Sequence, residues 1–159
     1  MSKVTCVDIN GKQYEVDAAG LRWRVSAYGI IIKEGKILLS PQFGDKHDLP
    51  GGGLEIFETV EAGVIREVKE ETGIDVKNPR LVGFSESNFM FSHAEGDAFH
   101  CLMLYFACQF VGGELSTEGF DEWEKEYAEM AEWIDLEKID KIKVASSVDY
   151  RPFIKKALK

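Results

Sequence analysis

Residues 49–74, LPGGGLEIFETVEAGVIREVKEETGI, leave the chain little choice of local structure. Leu49-Pro50-Gly51-Gly52-Gly53 can lay bare backbone against a ligand, because glycine has no Cβ to obstruct the approach. Thr59 has the side chain of an N-cap, and Glu61 sits favourably in the first turn after it. Val60, Val64 and Val68 recur at i, i+4 and i+8, the stripe of a helix with one buried face. Gly73 holds the place of the C′ residue, and apolar Ile74 follows it. The order predicted is strand, glycine loop, capped helix, stop.

On that helix Glu67, Glu70 and Glu71 fall at i, i+3 and i+4. At about 100° per residue, the three carboxylates share a sector roughly 100° wide. Like charges so placed repel and give the helix nothing. Val60 lies between Glu67 and Glu71 on the wheel, so the acids border the buried stripe, while Ala62, Arg66 and Lys69 fall toward the opposite side. A merely solvated acidic face would not hug the core. A divalent cation turns the repulsion into binding, and Mg²⁺ or Mn²⁺ prefers carboxylate oxygens with retained water. Gly63 lies between Glu70 and Glu67 on the wheel, where Ala would cost less, and so implies the close approach of another backbone.

The segment resembles the Nudix hydrolase family. That signature asks for Gly, five residues, Glu, seven residues, Arg-Glu, an aliphatic residue, any residue, Glu-Glu, any residue, Gly and an aliphatic residue. Gly52, Glu58, Arg66, Glu67, Val68, Glu70, Glu71, Gly73 and Ile74 fill every specified position. A weaker resemblance runs over residues 24–136, including Trp133-Ile134-Asp135-Leu136. The resemblance implies an α/β fold, an α/β/α sandwich around a mixed, partly antiparallel sheet. It implies that Glu70 and Glu71 are metal ligands, with Glu67 a further ligand or the base that activates water, and the Gly51 carbonyl a backbone ligand. Arg66 and Glu58 would be an ion pair that orients the glutamates. The implied reaction is Mg²⁺-dependent hydrolysis of a phosphoanhydride in a nucleoside diphosphate linked to another group, or in a nucleoside triphosphate, with Mn²⁺ able to substitute. In resembling proteins a glutamate shortly before the late Trp completes the site or acts as base, and Glu126 and Glu129 both fit that distance.

Three positions depart from the family pattern. Ser40-Pro41-Gln42 stands where many members carry phosphate-binding arginines, Phe57 replaces a common glycine, and His47 replaces an aromatic before Leu-Pro-Gly-Gly. The run 118–132 holds seven carboxylates around Trp123 and Tyr127, and most of them are expected on a solvated loop or short helix. His47, His93 and His100 have no zinc spacing and are expected to be surface or internally satisfied groups. Phe89 and Phe91 share strand parity and are expected in the core, although they could also wall a base-stacking site.

The 159 residues suit one domain, with residues 1–20 an accessory β-hairpin and 24–159 the core. A net charge of −9 argues against nucleic acid or an anionic membrane surface as partner; the small nucleotide that the resemblance implies would need its own local cation, which fits a metal-dependent site better than a basic cleft. Cys6, Cys101 and Cys108 lack CxxC spacing, and residues 101 and 108 would point to opposite faces of a strand, as expected of core thiols in a reducing cytosol. The start shows no signal-peptide run, and the apolar stretch 101–108 is too short to span a bilayer as a helix.

Strands are predicted at 4–9 and 12–17 around an Asn10-Gly11 turn, at 24–33 and 36–40 with Pro41 ending the run, at 80–88 and 98–110, and at 128–134. Residues 89–97 are predicted as a loop or hairpin tip, Gly112-Gly113 as a turn, and 136–142 and 150–158 as closing helices. The hairpin offers an edge for a homodimer. Two other functions compete with hydrolysis. A non-catalytic nucleotide-sensing module would have lost signature glutamates, and an isoprenoid-diphosphate isomerase would need a cysteine near the signature; neither condition holds.

Overall fold

The computed structural model describes residues 2–91 and 97–159. Its strands are β1 (Lys3–Val7), β2 (Gln13–Asp17), β3 (Arg22–Lys33), β4 (Lys36–Gln42), β5 (Lys46–Asp48), β6 (Gly51–Gly53), β7 (Ile74–Met90), β8 (Ala98–Gly113), β9 (Glu132–Asp135) and β10 (Lys143–Val144). The helices are α1 (Val60–Thr72), the single turn α2 (Glu124–Tyr127) and α3 (Arg151–Ala157), with 3₁₀ turns at Ala18–Gly20 and Leu136–Lys141. One mixed sheet runs β10-β5-β4-β3-β8-β7-β1-β2, with β6 also beside β3 and β9 beside β4. β3 and β8 are parallel, while β7 and β8 form a long antiparallel pair.

Strand alternation sends successive residues to opposite faces of this sheet. Ile30, Ile37, Leu39, Met103 and Tyr105 join Tyr150 and Ile154 under α3. Ala27, Ile31, Leu38, Phe106 and Cys108 join Val64 and Val68 under α1. Helix, sheet and helix are therefore the three layers, as the resemblance implied. Cys101 and Cys108 do face opposite sides, and all three thiols are free and buried. Among the described residues, no helix is long and apolar enough to cross a membrane.

Local predictions failed where pairing overrode them. The first hairpin forms, but its turn spans residues 8–12: the Asp8 carboxylate accepts from the amides of Asn10 and Lys12, and Gly11 takes positive φ. Pro41 does not end β4. It pairs with His47 of β5, and its carbonyl accepts from the Glu129 amide. Gly112-Gly113 is no turn but the end of β8, paired with Asp75 and Ile74. β7 begins at Ile74 rather than 80, because the helix stop delivers the chain straight into the β8 ladder. The late strand shrinks to Glu132–Asp135. The loop predicted at 89–97 lies partly outside the described residues, as does His93.

The hairpin β1–β2 is joined to the sheet through Val7 beside Phe89. Its Cys6 buries against Met90 and Ala98 in a separate small cluster. Lys46 of β5 reaches across to the Ile9 carbonyl at 3.5 Å, so the two ends of the sheet approach one another over the α3 face.

Candidate active site

Helix α1 is placed by its ends and its stripe. Thr59 Oγ1 accepts from the Ala62 amide at 3.2 Å, and Gly73, at φ +80°, returns its amide to the Lys69 carbonyl. Val64 and Val68 are fully buried, each contributing about 2 kcal/mol of burial. With the stripe so anchored, the three acids differ sharply. Glu71 is 2% exposed, Glu67 is largely covered, and Glu70 stays open to solvent. The wheel had grouped them only by direction.

Arg66 does not stay on the far side of the helix. Its Nε and Nη2 grip the two oxygens of Glu58 at 2.9 and 2.6 Å, and its Nη1 reaches Glu67 Oε1 at 2.8 Å and Glu70 Oε2 at 3.0 Å. Nη2 also meets the Gly53 carbonyl at 3.4 Å. These bonds hold the Glu58 carboxyl down at about 2, with a further bond from the Glu55 amide. Gly52 makes room for Glu67, since a Cβ there would stand 2.6 Å from Glu67 Oε2. Bare backbone in the glycine strand is thus used against a side chain of the site.

Glu71 Oε2 accepts from the Gly51 amide at 2.6 Å, and Oε1 from Gln42 Nε2 at 3.3 Å. Burial pushes the Glu71 carboxyl well up, and Asp48, Glu124 and Glu67 add to it. Burial also raises Glu67, against the pull of Arg66. Asp48, the residue before Leu49, is pushed up to about 7 by burial, although it accepts from the Leu49 amide. Desolvation therefore outweighs the mutual repulsion of the triplet. Among the described residues, no three acidic, histidine or cysteine side chains converge on one point as they stand, because Arg66 and the Gly51 amide hold the glutamates apart.

In the acidic run it is Glu124, rather than Glu126 or Glu129, whose field reaches the signature glutamates. The segment after β8 folds back along α1, where the Ser116 amide bonds the Thr72 carbonyl. Asp121 and Glu124 then exchange backbone and side-chain bonds as a capping box, at 2.8 Å each way. Glu124 is half-buried and its field reaches Glu67 and Glu71, while Glu126 and Glu129 are exposed. Burial raises Glu124 as well, with Asp121 and Glu70 adding to it. Tyr127 stacks on Phe43 at 4.6 Å, and burial raises its hydroxyl, with the fields of Glu71, Glu124 and Asp121 adding to it. The Asp121-x-x-Glu124 spacing was a legible signal. Asp48 and Gln42 carried none, since only strand pairing brings them to Glu71.

Ser40-Pro41-Gln42 offers no arginine, but its last residue holds Glu71. His47 bonds Glu132 at 2.7 Å and gives its carbonyl to Tyr150, while its Nδ1 and the Ser40 hydroxyl are buried without partners among the described residues. His100 bonds Asn88 at 2.8 Å, with the Glu86 carboxylate 3.7 Å from its Nε2. Phe57 is 85% exposed and touches none of this machinery.

A family model described as the NUDIX domain matches residues 21–156. An ADP-ribose pyrophosphatase of Methanocaldococcus jannaschii is 37% identical over 123 residues, 74% of this chain and 65% of that protein. The NAD-capped RNA hydrolase NudC of Vibrio atlanticus is 35% identical over 108 residues, 65% of this chain and 34% of that protein. The chain thus spans less than two thirds of either relative. Among solved structures, the MutT protein from Methanosarcina mazei Go1 aligns with a TM-score of 0.60 and 26% identity, over 86% of this chain and 94% of that one. An ADP-ribose pyrophosphatase from Streptococcus suis shares the fold, with a TM-score of 0.61 and 19% identity, over 86% of this chain and 90% of that one.

Proposed function

The chain belongs to the Nudix hydrolase family, and from that premise we propose that it hydrolyses a phosphoanhydride in a nucleoside diphosphate derivative or nucleoside triphosphate, using Mg²⁺ or Mn²⁺. One observation carries the reading. Glu71 buries a carboxylate whose only partners among the described residues are the neutral amides of Gly51 and Gln42, with Asp48, Glu67 and Glu124 nearby. Burial there favours the protonated carboxyl, and a bound cation is what would hold it ionised. The donors are all oxygen, which suits a hard divalent ion.

Glu70, Glu71, Glu67 and the Gly51 carbonyl would hold that ion. Bound there, it would neutralise phosphate charge and lower the pKa of a coordinated water. Glu67 and Glu124, whose affinity for a proton burial raises, would be the candidates to take one from attacking water. Arg66 orients Glu67 and Glu70 with Glu58 as its anchor, so Glu58 and Arg66 act by positioning. Residues 1–159 are taken as one domain, residues 1–20 being an accessory hairpin before the matched region. The free thiols suit a cytoplasmic setting.

The related names put ADP-ribose on the substrate panel, beside NDP-sugars, dinucleoside polyphosphates, and ordinary and oxidised nucleoside triphosphates. Hydrolysis should vanish in EDTA and return with Mg²⁺ or Mn²⁺, while Zn²⁺ restores it poorly. Full turnover in a thoroughly chelated sample would overturn the reading. A sensing module that binds without turnover would bind the same panel and release no product.

A further inference from the structure

Two arginines meet at Gly53, and they are employed differently. Arg66 engages all five of its N–H groups, with Glu58, Glu67, Glu70 and the Gly53 carbonyl. Arg24, from β3, comes to 3.1 Å from the point where a Gly53 Cβ would stand. It is half-buried, and none of its five donors meets an acceptor among the described residues. Its donors are left to solvent or to a ligand beside the glycine strand.

Its orientation is fixed on one side. The guanidinium lies over the Phe91 ring, 5.0 Å from the centroid. Phe91 is in turn held edge-on by Phe89 at 4.9 Å and by Phe99 at 5.4 Å. Stacking fixes the plane of an arginine and leaves the donors at its edge free, the arrangement that receives phosphate oxygens as a fork. Arg22, the next residue on that strand face, lies over Phe99 but is neutralised by Asp97.

The pairing register places this feature relative to the carboxylates. Ser26 of β3 lies between Gly53 and Met103, Arg24 lies beside Cys101, and Arg22 lies beside Phe99. Each two-residue step along β3 is about 7 Å. One face of the sheet thus carries, moving outward, the glycine strand, a guanidinium without an acceptor among the described residues, and an aromatic corner where Phe91 is 56% exposed. Gly53 links this feature to the carboxylate cluster: its carbonyl meets Arg66 Nη2, and its Cα faces Arg24.

We propose that Arg24 is a specificity-determining anion contact. Its fork takes non-bridging oxygens of the phosphate farther from the carboxylate face, and the Phe91–Phe99 corner stacks the group attached to that phosphate. The proposal deepens the hydrolase reading and rests on it.

The test uses the full chain, with Arg24→Gln, Arg24→Lys and Phe91→Leu, each checked for folding by circular dichroism. Calorimetric titration with ADP in EDTA needs no turnover. Arg24→Gln should weaken ADP roughly ten- to a hundredfold, the loss typical of a charge-assisted pair, and Arg24→Lys should recover only part of it. Adenosine, which lacks the phosphate, should bind wild type and Arg24→Gln alike, whereas Phe91→Leu should weaken both ligands. With Mg²⁺ and a hydrolysed substrate, Arg24→Gln should raise KM by the same factor, with kcat following much less. Unchanged ADP affinity in a folded Arg24→Gln or Arg24→Lys overturns the proposal, as does wild type that fails to bind ADP at millimolar concentration. A chain that hydrolyses nothing on the panel, yet loses ADP affinity on Arg24→Gln, sinks the hydrolase reading and leaves Arg24 as an anion contact. Active enzyme with wild-type KM in that variant does the reverse.

Discussion

Glu70 and Glu71 are neighbours in the chain and opposites in environment. Glu71 is buried against the Gly51 amide, and Glu70 lies open on an arm of Arg66. The i, i+3, i+4 spacing made the acidic face legible, and the Gly-Glu-Arg-Glu pattern made the Glu58–Arg66 pair legible. Burial of each carboxylate was not legible, because it depends on Gln42 and Asp48 arriving from other strands. The same holds for the acidic run, where counting back from Trp133 favoured Glu126 or Glu129. The fold-back after β8 brings Glu124 instead. Glu124→Gln should therefore lower kcat at least tenfold with little change in KM, whereas Glu126→Gln and Glu129→Gln should stay within about twofold of wild type. Steady-state kinetics of the three variants decide it. If Glu124→Gln keeps its kcat, Glu67 is the remaining candidate for the base.

At the scale of elements, α1 was predicted almost to the residue, because cap, stripe and stop all lie within its own sequence. Gly63 shows why a helix tolerates glycine here. A Cβ at Gly63 would stand 2.3 Å from Leu54 Cδ2 and 2.9 Å from Glu58 Oε1. Ala normally stabilises a helix interior by about 1 kcal/mol over Gly. At this position the clash should win, so that Gly63→Ala lowers stability by about 1 kcal/mol and loosens Glu58 from Arg66. Urea denaturation in EDTA measures the first effect, and a Gly63→Ala variant more stable than wild type would show that Leu54 moves aside freely. Strands were less legible. Pro41 and Gly112-Gly113 look like breaks in isolation, yet β5 and β7 supply partners that accommodate them.

For the whole molecule, the excess of acid is partly stored inside. Asp48 titrates near 7 in the fold, against about 3.9 for an unfolded Asp. Between those values the native state holds a proton that the unfolded chain has released, so metal-free stability falls as pH rises, the loss being complete above 7. Asp48→Asn can keep the bond from the Leu49 amide and cannot ionise. Its advantage over wild type should therefore grow by on the order of 2 kcal/mol between pH 5.5 and pH 8, when unfolding is followed in EDTA. Equal pH dependence of the two proteins would show that Asp48 is solvated in the fold. The sequence by itself determined the signature helix, its caps, the acidic face and the family, because each rests on residues within a few turns of one another and on local backbone geometry. Tertiary structure alone decided which carboxylates are buried, that Glu124 and Asp48 join them, that Gly52 and Gly53 give way to Glu67 and Arg24, and that the N-terminal hairpin extends the sheet. Those facts depend on strand register across residues far apart in the chain, and desolvation, which sets the charge states, exists only once the layers have packed.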